Sequence, residues 1–204
     1  MMADAAGDRR VRWIRNGAML AGMLLLGGCI SLGGKPPKLL VGLTAEQSSA
    51  PGAMAGGPTA GALIVLDPEA GRKLDVLRIP VQVDDATIAY LTDVTWVERP
   101  ARLFRQLLAE TIRSRGKRFV LESVEEAASS KATLSGRLID MGFDARSQSV
   151  VVRFDALRND GNGSVTARRF EAIVPGIAPN GEAVAPALNR AANDVARQVA
   201  DWVG

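Results

Sequence analysis

"ATLSGRLIDMGFDARSQSVVVRFDALRNDGNGSVTARRFEAIV", residues 132–174, decides how this chain folds. Residues 132–144, 148–160 and 164–174 are three runs rich in β-branched and apolar residues, the composition of strands. "ARSQ" (145–148) and "NDGNG" (159–163) separate them with turn-forming residues, so the three runs predict an antiparallel meander. In the third run Phe170, Ala172 and Val174 alternate with Arg169, Glu171 and Ile173. A strand with one apolar and one mostly polar face belongs to a sheet covered on one side only. "FVLES" (119–123) reads as a further strand placed consecutively before the three.

Two amphipathic helices supply the cover. From Arg99 to Arg115, Leu103, Phe104, Leu107, Leu108, Thr111 and Ile112 fall on one face at three-four spacing, and Gly116 closes the helix. A second helix runs from about Gly181 to Trp202 with Val184, Leu188, Ala191, Val195, Val199 and Trp202 as its apolar stripe. Pro186 lies near its start, where backbone donors have no partner within the helix anyway. Upstream, 38–43, 62–66, 74–83 and 86–97 read as strands or extended chain, and 48–61 has loop composition. The predicted class is α+β: a single domain with an antiparallel sheet and two main helices packed on one face.

The start of the chain has a different character. Arg9, Arg10, Arg12 and Arg15 stand against Asp4 and Asp8, and an apolar run from Ala18 to Leu26 follows. This is the layout of a cleavable export signal. The run is about half of the ~20 residues needed to span a bilayer. It ends in Leu26, Gly27, Gly28 and Cys29, the residue types of a lipobox: an aliphatic and two small residues before a cysteine. Cys29 is the only cysteine in 204 residues, so it has no disulfide partner within the chain. The expected organisation is a lipoprotein signal peptide at 1–28, a lipidated tether at 29–38 and one domain at 39–204. The cysteine sulfur takes a diacylglycerol through a thioether, and its freed amine takes a further acyl chain such as palmitate. Two or more chains anchor a protein stably to a membrane. The tether "ISLGGKPPK" (30–38) is rich in glycine and proline. Ile30 stands where an aspartate would retain an enteric-type lipoprotein at the inner membrane, so the periplasmic face of the outer membrane is the expected destination.

Composition excludes much chemistry. The chain has no histidine, the commonest general base and metal ligand. Acylation would occupy the only thiol. Removing the signal's four arginines and two aspartates lowers the formal charge from +3 to +1, which predicts no nucleic-acid binding. Asp84-Asp85 and Glu125-Glu126 are read as solvated charge rather than acid–base pairs. "RNDGNGS" (158–164) puts Arg158 and Arg169 where a calcium loop needs its first and last carboxylates, so it reads as a hairpin turn. Neither an enzyme nor a resident metal or cofactor is expected. Tyr90 and Trp96 are the aromatic candidates for a groove or partner surface. For Trp96, just before a helix, a core plug is the stronger reading, and core packing is also favoured for Trp202.

The chain resembles the ABC-type transport auxiliary lipoprotein family, the PqiC-like group. The resemblance rests on the lipobox and on "LRIPVQVDDATIAYLTDVTWVERPARLFRQLL" (77–108): strand, proline, extended stretch, tryptophan, then a helix opening with proline. "IDMGFD" (139–144), the meander and the alanine-rich last helix continue it. The chain departs from the family in its insert at 48–61 and in Asp84-Asp85. The resemblance implies a non-catalytic part of a transporter in which an ABC permease and ATPase work with a periplasmic substrate-binding protein of the mammalian-cell-entry (MCE) type. Such a system moves phospholipid or other hydrophobic molecules between two membranes, and the lipoprotein docks its far end. Homo-oligomeric assembly would suit a channel partner. The competing expectations are a structural or assembly lipoprotein of the outer membrane with no transport role, and a carrier that holds lipid itself.

Overall fold

The computed structural model describes residues 39–52, 62–116, 118–121 and 132–204. In chain order the elements are β1 (Leu39–Val41), β2 (Leu63–Val65), β3 (Glu69–Ala70), β4 (Arg78–Gln82), β5 (Ile88–Trp96) and α1 (Pro100–Ser114). They continue with β6 (Val120–Leu121), β7 (Ala132–Asp144), β8 (Ser149–Asn159), β9 (Val165–Val174) and α2 (Gly181–Val203). The fold is α+β: one large, mostly antiparallel open sheet with two helices against it. Most of the 48–61 insert (53–61), the tether, the lipobox and Glu125-Glu126 lie outside the described residues.

The meander forms as its sequence pattern requires. β8 pairs antiparallel with β7 along nearly its whole length and with β9 on its other side. Val150, Val152, Phe154 and Ala156 point inward from β8, and Phe170 from β9, all buried. β7 carries a bulge between Leu138 and Asp140. Its inward residues are Leu134 and Leu138 before the bulge, and Met141 and Phe143 after it. Leu138 and Met141 are three residues apart, so in a regular strand the second pair would face water; the bulge absorbs Ile139 and keeps both pairs inward.

The other edge of β7 is shared. β2 pairs with its first residues, β3 with its middle and β4 with its end, all parallel to it. A strand of 13 residues spans about 43 Å at ~3.3 Å per residue, long enough for three short partners end to end. β4 then makes an antiparallel hairpin with β5, and β1 joins β5 in parallel. The run "FVLES" does not join the meander. Its described part, β6, pairs parallel with β2. It follows a helix rather than a hairpin turn, so no tight turn holds it beside the strand that precedes it.

Both helices pack on the inner face. α1 starts without a side-chain cap but with Pro100 in its first turn, where a missing N–H costs nothing. Its Phe104 ring meets Phe154 of β8 edge-on at 5.2 Å. α2 is capped by Asn180, whose Oδ1 accepts a hydrogen bond from the Ala183 N–H at 3.0 Å. Small residues on its buried side, Ala187, Ala191, Ala192 and Ala196, bring its backbone close to the sheet. Among the described residues no helix covers the opposite face of β7, β8 and β9.

A non-strand segment after β1 is strapped across the helices. Asn193, 2% exposed, accepts the Glu46 N–H at 2.9 Å and donates to the carbonyls of Thr44 at 2.9 Å and Asn189 at 2.8 Å. Asn189 accepts the Thr44 N–H, and Glu110 of α1 accepts the Ser49 N–H. Asn193→Ala would remove two hydrogen bonds to the strap, worth about 0.5–1.5 kcal/mol each because exposed Thr44 and Glu46 can turn to water. We expect a loss of about 2 kcal/mol and a melting temperature lower by roughly 4–8 °C. Thermal unfolding of the variant checks this, and an unshifted midpoint would show that the strap adds nothing.

Candidate functional site

The open face of the sheet carries charge in register. Asp140, Arg153 and Glu171 are cross-strand partners on β7, β8 and β9, and Lys73 pairs with Asp140 from beyond the strand edge. One row over, Glu69, Arg137, Asp155 and Arg169 are likewise register partners across four strands. The signs alternate along each row and between the rows. Arg169 grips Asp155 in a fork, with Nε donating to Oδ1 at 2.6 Å and Nη2 to Oδ2 at 2.7 Å. These pairs were legible in part: Arg153 and Asp155, like Arg169 and Glu171, sit two residues apart on strands predicted to be neighbours.

Arg169 holds the Asp155 carboxyl below the ordinary carboxylate range, with Arg137 and Arg153 adding to the pull. The folded pKa is thus below the unfolded value of about 3.9. The interaction stabilises the fold above that value and is lost as pH falls through the lower folded pKa. Asp155→Asn should therefore weaken the acid dependence of the melting temperature between about pH 5 and about pH 2.5. Both side chains are more than a third exposed, so the difference should be small and should shrink with salt. Parallel acid limbs for the two proteins would show no contribution.

Beside the first row lies a cleft of about 310 Å³, bounded by Lys73, Pro80, Gly142, Phe143, Arg146 and Arg153. Gly142 is required there, because a Cβ would stand 2.5 Å from the Pro80 carbonyl oxygen. Arg146 pairs with Asp85 at 2.5 Å and Asp144 at 3.5 Å. Asp84 is occupied by its own turn, accepting the N–H groups of Ala86 and Thr87, which hold its carboxyl below the usual range. Among the described residues no three acidic side chains converge closely enough to hold a metal ion.

The candidate aromatics separate. Tyr90 lies half-buried on β5 with the Arg78 guanidinium 4.2 Å above its ring. Trp96 is 1% exposed and belongs to the core, so it presents no surface to a partner. Its alternation with exposed Thr92 and half-buried Thr95 was too irregular in sequence to show which way it points. Trp202 is half-buried against Phe170, their ring centres 5.6 Å apart. Residues 158–164 are the end of β8 and the turn into β9, where Asp160 Oδ1 accepts the N–H groups of Asn162 and Ser164. Leu26, Gly27, Gly28 and Cys29 lie outside the described residues. No described helix is long and apolar enough to cross a membrane.

No curated protein matches the chain in sequence. Among solved structures, a Xanthomonas campestris protein of the DUF330 family superimposes with a TM-score of 0.66 at 19% identity, over 80% of this chain and 94% of its own. An uncharacterized protein gives 0.66 at 14% identity, over 83% and 100%. These likenesses establish a shared fold. A PelC dodecamer subunit from Paraburkholderia phytofirmans reaches only 0.40 at 16% identity, over 76% and 95%, too loose to bear on assembly. The profile of the family described as "ABC-type transport auxiliary lipoprotein component" matches residues 43–200, the meander, both helices and the strap included. With well over half of its length matched, the chain belongs to the ABC-type transport auxiliary lipoprotein component family.

Proposed function

We propose that the protein is lipid-anchored through Cys29 on the periplasmic face of the outer membrane. There it serves as a non-catalytic docking subunit of an MCE-type ABC system moving phospholipid or other hydrophobic molecules. Its family gives the coarser part directly: an auxiliary lipoprotein component of ABC-type transport, associated with the cell envelope. The observation that carries the finer reading is that family match on a chain whose residues 26–29 spell a lipobox followed by Ile30.

The physics supports a docking role. Acyl chains cross water at high free-energy cost, so a donor channel has to be held against its acceptor membrane. A folded domain confined to that membrane raises the local concentration of its partner's end without performing chemistry. The charged side chains of the open face support the same reading, since the ion pairs described above bind them to one another rather than leaving them as reactive groups.

Crosslinking in intact cells tests the proposal. An MCE-type periplasmic protein, with its permease and ATPase, should be recovered with the lipoprotein. Repeated recovery of outer-membrane assembly proteins alone would overturn the transport role and favour the structural alternative.

A further inference from the structure

We infer that an apolar patch at the β1–β5 edge of the sheet rests on the bilayer that holds the anchor, so that the domain lies on the membrane in one orientation. The inference rests on the proposed acylation of Cys29. Leu40 is 67% exposed and Val97 57%. They are neighbours on one face. Leu40 is the register partner of Thr95, and Val97 lies two residues beyond Thr95 on the same side. The Val97 side chain reaches to within 3.5 Å of where a Gly42 Cβ would stand. Leu39 and Val41, alternating with Leu40, pack on the core, so Leu40 cannot turn inward without exposing them.

The length of chain between anchor and patch selects the occupant. Leu39 lies ten positions after Cys29, and fully extended that stretch reaches at most about 35 Å. Leu40 is the second residue of the first strand, so the patch is the part of the domain the tether leads into. A short tether keeps a weak membrane contact occupied, because the second contact is made within one molecule. Charge beside the patch suits a bilayer that contains anionic lipid. Arg78 is exposed and, as a register partner of Thr95, stands on the same face, while Arg99 pairs with Asp75 at 3.4 Å and Arg102 with Glu98 at 3.2 Å.

The test uses the full, acylated chain in phosphatidylethanolamine–phosphatidylglycerol vesicles carrying a spin-labelled headgroup lipid. Acylation of Cys29 leaves Val97→Cys as the only free thiol for a fluorophore, and Ile173→Cys on β9 is the reference. Quenching at position 97 should exceed that at 173 several-fold. Leu40→Asp should remove the excess while the protein still floats with the vesicles. Equal quenching at both positions in floating protein would overturn the inference and leave the anchor standing. A Val97→Cys disulfide between copies in place of quenching would give the patch to a second copy and also overturn it. Protein that does not float and retains a free Cys29 thiol would overturn the anchor, and the inference with it.

Discussion

Gly136→Ala is expected to destabilise the domain by about 3–5 kcal/mol, the sum of overpacking and backbone strain at about 1–3 kcal/mol each. Gly136 sits in β7 with φ +148°, a conformation that side-chain-bearing residues rarely adopt. A Cβ built there would stand 2.0 Å from the Asp155 carbonyl oxygen and 2.9 Å from the Phe154 ring. Neither neighbour can give way cheaply. Asp155 is backbone in the middle of β8, and Phe154 is held edge-on by Phe104 of α1. Native domains are stable by about 5–15 kcal/mol in total, so such a loss removes a large share. Gly71→Ala is the control, since nothing lies within 4 Å of a Cβ there. Denaturant titration of both proteins checks the expectation. A Gly136→Ala midpoint equal to that of Gly71→Ala would mean β7 and β8 are not packed as described.

Cys29→Ser is expected to abolish lipid attachment altogether. In the proposed anchor the diacylglycerol is carried on sulfur as a thioether, and a serine hydroxyl would not substitute for the thiolate as nucleophile. The proposed cleavage before residue 29 acts on the lipidated precursor, so the variant should also keep residues 1–28. One acyl chain gives only reversible binding, whereas two or more anchor stably, so the change is close to all-or-none. Labelled palmitate should enter the parent and not the variant, and mass spectrometry of the N-terminal peptide should show a modified Cys29. Label in Cys29→Ser, or an unmodified thiol in the parent, would remove the basis for anchoring.

The parts of the fold that the sequence disclosed are those where one residue pattern repeats over many positions. β8 alternates cleanly, β9 does so from Phe170 to Val174, and both helices hold their apolar stripes over most of their length. The parallel edge was hidden because β3 and β6 have two residues each, too few for any period. In β2 the run Leu63–Val65 is buried throughout, which signals cover on both faces without naming what supplies it. Ile64 in fact meets Ala62 and Leu121 in a separate small cluster away from the main core. The Ile139 bulge left no mark, since isoleucine suits either face. Asn193 looked like any polar residue in a helix, and only its three hydrogen bonds identify it as the fastening of the strap. The site was read less well than the fold. Trp96 and Tyr90 drew attention as aromatics, yet the exposed apolar side chains that carry the surface argument are the aliphatic Leu40 and Val97.

Because β2, β3 and β4 all lean on β7, the order in which the polypeptide emerges constrains when it can fold. Delivered N-terminus first, residues 63–82 wait unpaired along that edge until residue 144 has passed the exit. On the proposed export route the early half therefore cannot complete its sheet until late in translocation, a vectorial delay that would leave the leader end accessible to processing enzymes before the body closes. Non-local pairing of this kind is slow by nature. The lag would give the proposed modification a head start over collapse.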